Sequence, residues 1–291
     1  MLHGYTPPSR FLPYLSWIEI DALADRENTV IVLPAGAIEQ HGPHLPCAVD
    51  SVIAAGIVGR ALSILPHEVP AYALPPITYG KSDEHLHFPG TLTLTGDLVL
   101  NTVIEIGESI YRSGFRKLLI VNAHGGQPQP LDMAARELRL RHGDFVLIAR
   151  SAWAVPHDEG FMSDHERDFA MHAGHGETAL MMALAPDTVR MDRAAANVLD
   201  PFPCPTLSST RPAAAWCARD FGPSGVIGDP TGATLPQGLA LLDQLGTSWA
   251  KAIGEVHRMR WPHRQATTGL TRGPDTGAAR GRFHGEIQSN S

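Results

Sequence analysis

Cysteine is scarce in this chain: Cys47, Cys204 and Cys217 are the only three in 291 residues, and no Cys-x-x-Cys pair occurs. An odd, scattered set gives neither a disulfide framework nor a thiolate zinc site. Charge is thin as well, at 18% of residues, and 23 Lys plus Arg against 30 Asp plus Glu leave a formal net charge of −7. That balance excludes a generic basic nucleic-acid binder. No apolar run approaches the roughly 18 residues of a membrane span, and strand-length stretches such as Val30 to Leu33 are the longest. The opening residues Met1 to Pro8 lack the cationic start and apolar stretch of a secretion signal, so a cytoplasmic location is expected. Three catalytic signatures are also missing: there is no Gly-x-Ser-x-Gly elbow, no Walker loop and no strand-linked Gly-x-Gly-x-x-Gly.

What the chain does have is a 43% hydrophobic fraction, ample for a core, and fifteen histidines. Imidazole is the commonest metal ligand, so a histidine-rich, mildly acidic chain points toward a metalloenzyme. Strands are expected at Thr29 to Leu33, Lys117 to Val121 and Phe145 to Ala149, where β-branched and aliphatic residues cluster before turn formers. Helices are expected from Asp50 to Leu65, from Asp97 to Gly114, from Pro128 to Gly143, and from Glu177 to Leu184, on apolar spacings of three and four. Alternating strands and helices imply α/β architecture: a mainly parallel sheet with helices on both faces and ligands beyond the carboxyl ends of the strands. Residues 1–263 read as one domain. From 264 to 291 the apolar periodicity vanishes, and a disordered tail is expected.

The densest site candidate follows the first strand: Glu39-Gln40-His41-Gly42-Pro43-His44-Leu45-Pro46-Cys47-Ala48-Val49-Asp50. In an extended segment Glu39 and His41 project to the same side, and Asp50 can return to them at the start of the helix. The competing reading makes Asp50 a helix cap and leaves Glu39 and His41 solvated. His124 follows another strand and precedes Gly125-Gly126, which permit close backbone approach. Alternatively it only satisfies loop backbone groups. His172-Ala173-Gly174-His175-Gly176-Glu177 forms the third cluster, where Glu177 can serve the site or favour the helix N-terminus. Cys47, between Pro46 and Ala48, reads as a packed residue rather than a nucleophile. Trp153 and Trp216 can either cover a flat ring substrate or pack.

Taken together, Glu39-x-His41, Asp50, His124, and His172 with Glu177 resemble the creatininase, or creatinine amidohydrolase, family. The resemblance runs over residues 15 to 255, through Leu33 to Pro46, Tyr79-Gly80-Lys81-Ser82-Asp83-Glu84-His85, Phe88-Pro89-Gly90-Thr91, Val121 to Gly126 and His172 to Leu184. It implies a three-layer α/β/α fold, a homo-oligomer that is often hexameric, and two divalent ions per chain, zinc first, with manganese or iron as alternatives. Mapped by motif, Glu39 and His124 bind one ion, His41 binds the other, and Asp50 bridges them. The name-giving enzymes carry a glutamate two positions after the histidine matching His124. Here that position is Gly126, a feature of the His-Gly-Gly branch, and Glu177 becomes the substitute ligand.

By this resemblance His172 is the catalytic proton shuttle, with His175 as the competitor, while Ser82 and His85 border the substrate, and His175 is a further candidate there. The implied reaction cleaves a C–N bond of a small cyclic amide, with nucleophilic hydroxide bridging the two ions, since coordination brings the pKa of water down to about 7. Relatives acting on formamides, peptides or ring ketones widen the substrate class. A non-catalytic, metal-stabilised oligomeric binding protein is the alternative of a different kind. Neither a nucleic-acid nor a membrane partner is expected.

Overall fold

Each of four short strands forms where the apolar residues cluster. In the computed structural model, which describes residues 2–261, these are β1 (Val30–Ala35), β2 (Ala71–Ala73), β3 (Lys117–Asn122) and β4 (Val146–Ser151). They make one parallel sheet in the order β2-β1-β3-β4. Parallel neighbours need crossover connections, and the helices supply them. The register sets Val30 opposite Lys117 and Ala35 opposite Asn122, so β1 and β3 end level with one another. The loops that follow therefore leave the sheet side by side.

Burial on both faces explains why the central strands β1 and β3 are almost continuously apolar rather than alternating, whereas the edge strand β4 ends in the exposed Arg150 and Ser151. Val30, Val32, Leu119 and Val121 pack on one side with α2 (Val49–Ile64), α6 (His175–Leu184) and α7 (Leu235–Arg258). Ile31, Leu33, Leu118 and Ile120 pack on the other with α3 (Gly96–Arg112) and α4 (Pro128–Arg141). This is the expected three-layer α/β/α arrangement. Two short helices, α1 (Trp17–Asp21) and α5 (Asp164–Phe169), complete the set.

Several boundaries differ from the sequence expectation for identifiable reasons. Asp50 does not cap α2: the cap position is Ala48, no side chain caps it, and the Asp50 carboxylate is turned elsewhere. Thr95 rather than Asp97 occupies the cap position of α3, and Asp97 lies in its first turn. Helix α6 starts at His175, so Glu177 stands in its first turn. The longest helix, α7, has no counterpart in the sequence expectation. It is opened by a reciprocal Thr234–Gln237 capping box and buries Leu241, Leu245, Trp249 and Ile253, spaced by four. Its last carbonyls, those of Val256, His257 and Met259, accept hydrogen bonds from the buried Lys117 ammonium at 3.0, 2.5 and 3.0 Å. A cation at a helix C-terminus is the favoured sign.

The tail expected at 264–291 lies outside the described residues. No described helix is long and apolar enough to cross a membrane.

Helices α6 and α7 meet at Gly238, where an added Cβ would stand 1.8 Å from the Ala179 carbonyl oxygen. Gly238→Ala is expected to push the helices apart and cost roughly 2–4 kcal/mol. Urea unfolding midpoints of the two proteins check this, and an unchanged midpoint would contradict the close crossing.

Candidate metal centre

Level strand ends bring separate loops into one crevice. The loop after β1 carries Glu39 and His41, and the first turn of α2 returns Asp50 beside them. His124 follows β3, and the segment before α6 contributes His172 and Glu177. Residues 81–85 close the remaining side, pinned by the Ser82 N–H to Thr93 Oγ1 hydrogen bond at 2.7 Å. Glu39, His41, Asp50, Ser82, His85, His124 and His172 are all buried, and the Glu177 side chain is 16% exposed. The solvated-loop reading of Glu39 and His41 is therefore excluded.

Hydrogen bonds to backbone carbonyls fix how each imidazole presents itself. A carbonyl oxygen only accepts, so the ring nitrogen facing it carries the hydrogen, and in the neutral ring the opposite nitrogen is bare. His41 Nδ1 donates to the Glu39 carbonyl at 3.1 Å, His124 Nε2 to Lys81 at 2.6 Å and His172 Nε2 to Gln40 at 2.5 Å. Each bare nitrogen then points at carboxylates. His124 Nδ1 lies 3.2 Å from Glu39 Oε2 and 3.1 Å from Asp50 Oδ2. His41 Nε2 lies 3.3 Å from Asp50 Oδ1 and 4.0 Å from Glu177 Oε2. His172 Nδ1 lies 3.5 Å from Glu39 Oε1.

Lone pairs converge here without hydrogens between them. Buried polar atoms are normally paired, yet His41 Nε2 and Asp50 Oδ2 make no hydrogen bond. Acceptors facing acceptors in a buried space need either a proton or a metal cation between them. The donor set, imidazole nitrogen and carboxylate oxygen, suits zinc, manganese or iron. Ligating atoms of Glu39, His41 and Asp50, and separately of His41, His172 and Glu177, lie within 4.8 Å of one another. The residues thus fit divalent ions, with the backbone carbonyls acting as the outer partners that hold ligand histidines in one tautomer.

Electrostatics respond in kind. Burial opposes a charged His41 ring, but Asp50, with Glu177 and Glu39 behind it, outweighs that and pushes its pKa up to about 9. His124 is likewise raised against burial by Glu39 and Asp50. Burial, with Asp50 nearby, lifts Glu177 to about 7 despite His41. Asp50 is lowered because His41 and His124 overcome its burial. Burial, with His41 and His85 alongside, drives His172 well below its ordinary value and favours a neutral ring.

Other residues bear on the sequence expectations. Ser82 Oγ donates to Glu39 Oε2 and lies 3.3 Å from His124 Nε2. His175 is not brought to the cluster: its ring packs on Phe161 and its Nε2 lies 3.2 Å from Gln237 Oε1. Helix α6 turns it away, since residues three apart share a face but His175 precedes Glu177 by two. Trp153 lines a cavity of about 360 Å³ that opens onto His124, His172 and Glu177. Trp216 instead meets His85 and Phe221 edge-on. Cys47 is half-buried, and burial with Glu39 nearby raises its thiol pKa, which disfavours the nucleophilic thiolate.

Four contributors, Gln40, Glu84, Glu166 and Ala173, are given no role by the sequence alone. Gln40 binds His85 Nδ1 through its amide. Glu166 is buried and accepts from the His175 and Asp229 N–H groups, both at 2.7 Å, pinning the loop before α6. In that loop Ala173 is held at φ 55°, a left-handed strain of roughly 1–2 kcal/mol, and donates its N–H to Glu177 Oε2 at 2.6 Å. Glu84 fills the volume over Gly126, where a Cβ would stand 1.8 Å from Glu84 Oε1 and 2.6 Å from His124 Nε2. A side chain at 126 therefore has no room while Glu84 stays.

Without ions, the cluster is stabilised by protons. His41 and Glu177 have folded-state pKa values raised to about 9 and about 7, so their contributions are present at low pH and disappear as pH rises through those values. The chelator-treated protein is expected to lose several degrees of melting temperature between pH 6 and pH 9.5, and added zinc to restore more at the higher pH. Thermal melts in chelator across that range test it, and a metal-free protein that gains stability with pH would contradict the arrangement.

Residues 13–253 match the family model described as Creatininase: Creatinine amidohydrolase. A mycofactocin precursor peptide peptidase of Mycobacterium ulcerans (strain Agy99) is 34% identical over 223 residues, covering 74% of this chain and 80% of that protein. A creatinine amidohydrolase of Pseudomonas putida is 34% identical over 215 residues, 67% of this chain and 79% of that one. Among solved structures, a manganese creatininase superposes with a TM-score of 0.71 at 28% identity, over 86% of this chain and 99% of its own. The chain belongs to the creatininase family of amidohydrolases.

Proposed function

We propose that this chain hydrolyses the C–N bond of a small amide, a cyclic amide first, at two divalent ions. The observation that carries the reading is the convergence of bare His41 and His124 nitrogens on Glu39, Asp50 and Glu177 beside an open cavity. Glu39, His124 and one Asp50 oxygen would hold the first ion, and His41, the other Asp50 oxygen and Glu177 the second. Zinc is the first choice, with manganese or iron able to use the same donors. Bound there, the ions supply an activated water as nucleophile and polarise the scissile carbonyl.

The protein's own groups do the rest. His172 is the proton shuttle: its Nε2–H is tied to the Gln40 carbonyl, so only Nδ1 can take a proton, and that atom faces the centre. Burial, with His41 and His85 alongside, keeps the ring neutral before the reaction. Protonated at Nδ1, it faces Glu39, which stabilises the imidazolium until the proton passes to the departing nitrogen. Glu177 is held by the Ala173 N–H, which fixes the carboxylate at the cavity floor. Ser82 locks Glu39 from outside. His85 borders the site beside His172, with ring centroids 4.2 Å apart.

A second reading, cleavage of a peptide amide, is favoured by the peptidase relative.

Glu39→Ala and His124→Ala are each expected to lower bound metal and reduce turnover by at least about 10³ while circular dichroism stays unchanged. His172→Ala should keep its metal yet lose roughly 10²–10⁴ in kcat. Cyclic amides, formamides and short peptides assayed before and after chelation decide the substrate class, with elemental analysis run on the same samples. Full activity in Glu39→Ala, or chelator-resistant turnover, would refute the site.

A further inference from the structure

Two further sets of potential ligands share Glu39 with the centre, one with Glu84 and His124 and one with His85 and His172. Ligating atoms of Glu39, His85 and His172 lie within 4.8 Å of one another, all three residues buried. An ion there would capture His172 Nδ1, the atom that the proposed reaction needs free. Resting on that reading, the question is what keeps the triangle from filling.

Gln40 supplies the answer through the direction of its amide. Gln40 Oε1 accepts the Gly42 N–H at 2.8 Å, and Gln40 Nε2 donates to the Gly225 carbonyl at 3.1 Å. Both partners are backbone groups of fixed sense, so oxygen and nitrogen cannot exchange places. The second hydrogen of Nε2 therefore meets His85 Nδ1, 2.9 Å away, and that nitrogen must accept. The hydrogen of a neutral His85 then resides on Nε2, which lies 3.4 Å from Glu39 Oε1. His41, His124 and His172 each donate outward to a carbonyl and present a bare nitrogen inward. His85 alone of these four is reversed.

We propose that Gln40 fixes His85 as an inward N–H donor to Glu39, which bars a third cation from the Glu39–His85–His172 triangle and leaves His172 free to shuttle protons. The His85 hydrogen occupies the space an ion would need. It faces Glu39 Oε1, while Oε2, which accepts from Ser82 Oγ, is the atom nearest His124. His85 is a positioning residue in this account, and Gln40 positions it in turn.

The test reads tautomers and metal stoichiometry. Long-range ¹H–¹⁵N spectra of labelled wild-type protein, metal-free and zinc-loaded, are expected to show His85 protonated at Nε2 and bare at Nδ1 in both. A His85 protonated only at Nδ1 would overturn the proposal without any variant. Equilibrium dialysis against zinc should saturate the wild type at two ions per chain and Gln40→Leu at three. The double variant Gln40→Leu/His85→Gln, in which an amide N–H replaces the Nε2–H, should return to two. A folded Gln40→Leu that stops at two ions with His85 still protonated at Nε2, or a wild type that binds a third ion at His85, would overturn it. Wild type that binds no ion at all would refute the dinuclear reading instead, while the tautomer spectrum of the metal-free protein still judges Gln40.

Discussion

Buried acceptors without matching hydrogens are the constraint around which this molecule is arranged. Placing three carboxylates in a space of low polarity is costly unless positive charge joins them. In their neutral form the histidines do not supply it, because backbone carbonyls hold the single hydrogens of His41, His124 and His172 on the outward side. The pKa directions say the same in other terms: His41 and His124 rise and Glu177 rises, each taking up protons where cations belong. Locating the site and orienting its ligands are thus one problem, solved by loop backbone.

That loop backbone is placed by the sheet. Because β1 and β3 end in register at Ala35 and Asn122, the Glu39 loop and His124 leave the same edge together. Asn122 then clamps the turn, donating to the His124 carbonyl at 2.6 Å, while Gln127 ties Asn122 to the Gly36 carbonyl at the end of β1. The strained Ala173 and the buried Glu166 perform the same service on the α6 side. Strain and buried charge concentrated at one place, on an otherwise regular α/β scaffold, are what a functional centre leaves behind. The side chain absent at Gly126 belongs to this pattern, since Glu84 occupies the space that a Cβ there would need.

Much of this was legible in the residues. Continuous apolar runs located β1 and β3, spacings of three and four located α2, α3, α4 and α6, and the motif blocks gave the family that the comparisons establish. The short β2 was not legible, because three residues carry too little pattern. Helix α7 was legible in principle, through Thr234-x-x-Gln237 and its run of residues spaced by four. Asp50 shows where local reasoning goes astray: an acid near a helix start is a reasonable cap, yet its carboxylate serves His41 and His124 across the fold. His175 shows the converse, a histidine within a promising cluster that its helix turns toward Phe161.

The sequence by itself determined the α/β class, the family, and the residue types able to bind divalent ions, because periodicity and motif order are properties of the chain alone. Tertiary structure decided which nitrogen of each histidine faces the centre, that Gln40 reverses His85, that Glu84 stands over Gly126, and that His175 stays out. Apart from His41, held by the Glu39 carbonyl two residues before it, those facts depend on contacts between residues distant in the chain, such as His124 to Lys81, 43 positions apart, and Gln40 to Gly225, 185 positions apart. A hydrogen bond has a direction only once both partners are in place, and no local pattern encodes a partner that distant.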